Sequence, residues 1–122
     1  MKVGLLQFEI HIDHAGSLKD KRRVVKSIKD HLHREHLVSV AEVGDLEIWN
    51  RAQMGVAAVS GDGPYLHGLL EAVLRELTVL PEGRLGACVS EVVDASLLWG
   101  DEAEDGRPLW TEQERREAGA GK

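Results

Sequence analysis

Gly4, Leu6, Phe8, Ile10 and Ile12 occupy every second position near the start of the chain, with Gln7, Glu9 and His11 between them. A period of two with a polar alternate set describes a strand in a sheet that is covered on one side only. The rest of the chain must therefore supply a lid for one face of that sheet. It must also tolerate an uncovered second face.

The lid is legible in two helical patterns. After the turn Asp13-His14-Ala15-Gly16, Ser17 is a candidate N-cap, with Asp20 placed to satisfy first-turn amides. Leu18, Val25, Ile28 and Leu32, flanked by Val24, then form one apolar stripe, which predicts a helix from Leu18 to about His36. Lys21 falls inside that stripe, and is expected to lie along the helix stem with its ammonium turned out to water. The second pattern is Leu66, Leu69, Leu70, Val73, Leu74 and Leu77, preceded by a capping Asp62 and an early Pro64. Pro81-Glu82-Gly83 ends it.

Between and after the helices lie further strands. Leu37 to Val43 is rich in valine, and Gly44-Asp45 supplies a turn. Trp49 to Val59 alternates again, with Ala52, Met54, Val56 and Ala58 facing one way and Arg51 and Gln53 the other; Gly55 allows close backbone or helix approach. Arg84 to Asp94 reads as the last strand. The order β-α-β-β-α-β predicts an α+β fold of the ferredoxin-like split βαβ type, a four-stranded antiparallel sheet with two helices on one face. Residues 1–99 form this domain. Residues 100–122 contain the cluster Asp101, Glu102, Glu104 and Asp105, and are expected to be a flexible acidic tail anchored through Leu109 and Trp110.

Composition narrows the function. Only 4% of residues are aromatic against 43% hydrophobic, so the core is aliphatic. The single cysteine, Cys88, permits no internal disulfide and no paired-cysteine zinc site, and its apolar setting suggests a buried thiol. No leader or membrane-spanning run is readable, so the expected location is the cytoplasm. Charge is unevenly placed. Ser17 to His36 carries seven Lys/Arg against three Asp/Glu in a chain of net charge −6.

The helical wheel gathers Lys19, Arg22, Arg23, Lys26, Lys29 and Arg34 on one face, with Asp30 the lone acid among them. Such a face suits the phosphates of RNA, in a salt-sensitive and largely sequence-independent way; the competing reading is a solvated surface that keeps the protein soluble. The sheet is a poor RNA platform, because Phe8 points inward and only Trp49 offers an outward ring. Trp49, Arg51 and Gln53 are instead candidates for self-association. His11 and His14, or His33 and His36, lack the third ligand of a metal motif. Ser60-Gly61-Asp62-Gly63 lacks the lysine and spacing of a phosphate loop. No cofactor, metal or catalytic residue is assigned, and an enzyme is not expected.

Ser17-Leu18-Lys19-Asp20-Lys21-Arg22-Arg23-Val24 resembles the S-L-K-[ED]-K-R-x-[VL] signature of the YlxP-like family of small bacterial proteins. Val38 to Gly44 and Trp49-Asn50-Arg51-Ala52, followed by Gly55-Val56-Ala57, are similar to its second and third strands. The likeness spans roughly residues 1–94. It implies a ferredoxin-like domain with no assigned activity, often encoded beside ribosome-maturation and translation-initiation genes. The expected function is a non-catalytic accessory protein binding RNA or a ribosomal particle through the first helix. The alternative is a homo-oligomeric structural or small-ligand-binding domain using the open sheet face. Neither reading involves a membrane.

Overall fold

The computed structural model describes residues 1–96, and its elements run β1 (Lys2–His11), α1 (Leu18–Glu35), β2 (Ser39–Gly44), β3 (Arg51–Ser60), α2 (Gly63–Leu77) and β4 (Arg84–Asp94). The four strands form one sheet in the order β2-β3-β1-β4, antiparallel throughout. This is the expected split βαβ arrangement. The boundary between residues 99 and 100, and the acidic tail, lie outside the described residues.

Register follows from the alternation. β1 lies centrally, with Phe8 opposite Met54 on β3 and Ile10 opposite Ala52. Leu6, Phe8, Ile10, Ala52, Met54 and Val56 are all buried, and the helices lay Val25, Ile28, Leu32, Leu66, Leu70 and Val73 on top of them. α1 covers β2 and β3, and α2 covers β1, β3 and β4. The Asp62 side chain accepts the Tyr65 N–H at 3.1 Å, and Pro64 stands in the first turn, so α2 begins as its caps dictate.

Three local expectations are corrected. β2 and β3 each begin two residues later than the pattern suggests, so Trp49 sits in the β2–β3 connection, half exposed. Cys88 is exposed, because β4 is an edge strand: the residue lies opposite buried Phe8, but at the sheet margin burial is lost. Gly55 makes room on the open face, where a Cβ would lie 3.1 Å from Val43 Cγ1; no helix approaches it there.

Gly83 has a stricter role. A Cβ at this position would stand 2.6 Å from Cγ2 of Ile10, a fully buried, β-branched side chain that cannot swing aside. Gly83→Ala is therefore expected to destabilise the fold by about 1–3 kcal/mol in denaturant unfolding, the usual range for overpacking. Gly86→Ala serves as the comparison. Its Cβ would meet the imidazole of His11, which is partly exposed and can rotate, so its cost is smaller. Equal costs would refute the distinction.

Candidate functional site

The outward face of α1 is built by its own N-terminus. Ser17 Oγ accepts the Asp20 N–H at 3.2 Å, and the Asp20 carboxylate accepts the Gly16 N–H at 3.1 Å, a reciprocal cap that starts the helix at Leu18. With Val24, Val25, Ile28 and Leu32 turned into the core, the arc that carries Lys19, Arg22, Arg23, Lys26, Lys29 and Arg34 faces away from the sheet. Lys29 is half-buried and the other five are exposed.

Two of the six cations are engaged within the helix. Lys26 donates to Asp30 at 2.8 Å and Arg23 to Asp20 at 3.5 Å. The Lys26 hydrogen bond, reinforced by the charges of Lys26, Arg34 and His33, holds the Asp30 carboxyl below the usual carboxylate range. Lys19, Arg22, Lys29 and Arg34 have no carboxylate within ion-pair distance among the described residues.

Lys21 does not reach water as expected. Its side chain is 1% exposed, with Nζ 2.7 Å from Glu42 Oε2 and donating to the Asp45 carbonyl at 2.6 Å. The ammonium aligns its hydrogen bond on the carbonyl, so Glu42 Oε2 is met as an ion pair without a well-aligned hydrogen bond. Asp45 is the left-handed residue of the turn after β2, at φ 57°. Lys21 thus fastens α1 to β2 and to that turn. The residue belongs to the fold and leaves the cationic face.

The histidines also separate. His36, the C-cap of α1, turns its Nε2 to Glu76 Oε2 of α2 at 2.7 Å, and His31 approaches the same oxygen at 4.0 Å. They tie the two helix ends together, while His33 stays exposed. Among the described residues no group of three or more His, Cys, Asp or Glu side chains is placed to hold a metal.

The open face of the sheet has two halves. One is polar and internally satisfied: Gln53 donates to Glu9 at 2.8 Å, Glu9 also meets His11, and Arg51 donates to Asp45 at 2.9 Å. Arg51 and Gln53 are therefore engaged within the domain. The Arg51 hydrogen bond draws the Asp45 carboxyl below its ordinary range. The other half is apolar, with Leu5, Val43, Val59 and Val89 exposed around the small residues Ala41, Gly55 and Ala57. A shallow groove of about 490 Å³ crosses it. Sequence reasoning missed this half, because its members come from four different strands.

Among the described residues, no helix is long and apolar enough to cross a membrane. A family described as a protein of unknown function, DUF503, matches residues 3–88, from the start of β1 into β4. A relative from Bacillus subtilis (strain 168), the uncharacterized protein YlxP, is 36% identical over 80 residues, covering 66% of this chain and 87% of the relative. The chain belongs to the DUF503 family, whose members include YlxP-like proteins.

Proposed function

We propose that this protein is a non-catalytic accessory factor that binds RNA, free or within a ribosomal particle, through the outward face of α1. The observation that carries the reading is the set Lys19, Arg22, Lys29 and Arg34, four cations on one face that no carboxylate neutralises among the described residues. A net charge of −6 makes that concentration more telling, since the rest of the surface repels a polyanion and leaves α1 as the place of contact. The open sheet supports the same choice. Its central strands present Leu5, Gln7, Glu9, Gln53, Gly55 and Ala57 outward, none of which can stack on a base, while the two outward residues that could, His11 and Arg51, are engaged by Glu9 and Asp45.

Binding of this kind is dominated by counterion release. Four to six neutralised phosphates give a slope of log affinity against log salt of about −3 to −4 for single strands. Fluorescence anisotropy of a labelled single-stranded RNA, titrated across a salt series, measures it. Absence of binding at about 50 mM salt, or an affinity indifferent to salt, refutes the proposal.

A further inference from the structure

Strand β4 ends the sheet as a long edge. It has 11 residues, and Ala87, Cys88, Val89, Ser90 and Glu91 are exposed in succession, so its middle is uncovered on both faces among the described residues. The opposite edge, β2, has only 6 residues and an irregularity between Glu42 and Gly44. A long uncovered edge offers a row of backbone donors and acceptors to another strand. We infer that β4 pairs antiparallel with β4 of a second copy of this chain, about a two-fold axis at Cys88, joining the two sheets edge to edge.

Backbone geometry sets which registers are possible. The Ala95 N–H donates to the Met1 carbonyl at 2.9 Å, continuing the pairing of Asp94 with Lys2. Direction alternates along an antiparallel strand, so Val89, Glu91 and Val93 turn their N–H and C=O groups to β1. Cys88, Ser90 and Val92 turn theirs to the edge. The register shift between Phe8 and Ile10 absorbs one residue at Gly86 and Ala87, after which Leu85, opposite Ile10, points outward again. An axis at Cys88 then matches outward groups with outward groups, Cys88 with Cys88 and Ser90 with Leu85.

Side chains select that register. Arg84 and Glu91 lie on the open face, opposite His11 and Leu5, and the axis at Cys88 sets each Arg84 against the Glu91 of the other copy. Val89, 66% exposed, falls opposite Gly86 and Ala87, small residues that leave room for it. An axis at Val89 or Ser90 sets Arg84 against Val93 or Ala95 instead, and one at Glu91 sets that carboxylate against itself. Opposite charges face to face stabilise an antiparallel pair, and like charges oppose it. Both groups are available: Arg84 meets Asp13 only at 3.5 Å with both side chains well exposed, and Glu91 has no cation within ion-pair distance among the described residues. Because α1 covers β2 and β3, away from β4, the pairing leaves each cationic face clear, so this inference and the RNA reading fail independently.

The test uses the full chain. Opposed residues in a hydrogen-bonded pair have Cα atoms about 5.5 Å apart, inside the roughly 4.4–6.8 Å that a disulfide spans. Oxidation by copper phenanthroline should therefore link Cys88 to its copy several-fold faster than it links Thr78→Cys/Cys88→Ser, whose thiol is exposed at the end of α2 and meets its copy by collision. In sedimentation the wild-type dimer fraction should rise with concentration. It should fall several-fold in Glu91→Arg, which sets two cations face to face, and recover in Arg84→Glu/Glu91→Arg. A wild type that stays monomeric overturns the inference, as does a dimer that Glu91→Arg leaves intact. Loss without recovery in the double variant, or Cys88 cross-linking no faster than the collision control, overturns it as well.

Discussion

Replacing Lys21 by Met is expected to remove about 3–5 kcal/mol of stability, the cost of stranding one member of a buried ion pair. The side chains are similar in length, so little packing is lost. What is lost is the counter-charge of Glu42, 2.7 Å away and only 18% exposed, and the donor to the Asp45 carbonyl. Because whole domains are stable by only about 5–15 kcal/mol, the single variant should show a sharply lowered urea midpoint. The double variant Lys21→Met/Glu42→Leu should recover much of the loss, since removing both charges also removes the penalty for burying them. A single-variant cost below about 1 kcal/mol would place the pair among the weakly coupled ion pairs of protein surfaces. Lys21 would then be no more than a spacer in the apolar stripe.

Lys21 also shows where the sequence stops being readable. Local periodicity correctly placed it in the apolar arc of α1, and a solvent exit for its ammonium was the only local solution. Its true partner lies 21 residues on, in β2, and faces the helices only because Glu42 pairs with Met54. That relation needs the sheet order. The same limit explains Cys88 and the apolar groove. Alternation assigns Cys88 to the side shared with Phe8, but only the edge position of β4 says that this side is uncovered there. Leu5, Val43, Val59 and Val89 are each unremarkable in their own strands, and the register alone gathers them into one surface. Features encoded within a few residues were legible throughout: the Ser17 and Asp62 caps, the inward set of β1, the leucine repeat of α2 and the span of β4. The cationic arc of α1 belongs to this group, because a helix wheel needs no tertiary information.

If that arc binds RNA, the triple variant Lys19→Gln/Arg22→Gln/Lys29→Gln should lose about 100-fold in affinity at about 0.1 M salt. Each phosphate neutralised on a single strand contributes about 0.7 to the salt slope, and hence about 0.7 decades of affinity at one-tenth molar. Three contacts amount to about two decades, and the slope should flatten by about 2. The three residues suit the purpose because none of them pairs with a carboxylate among the described residues. Surface changes free of such partners alter stability by only about 0.5 kcal/mol each, so a loss of binding cannot be ascribed to unfolding. Arg84→Gln is the control, removing one exposed cation from the start of β4, where it lies 3.5 Å from Asp13. Its affinity should stay near that of the wild type. If Arg84→Gln weakened binding as much per charge as the α1 substitutions, net charge would be the cause and α1 would hold no site. If neither variant changed the slope, RNA would be held elsewhere, and the arc would be the solvated outer face of a core-packing helix.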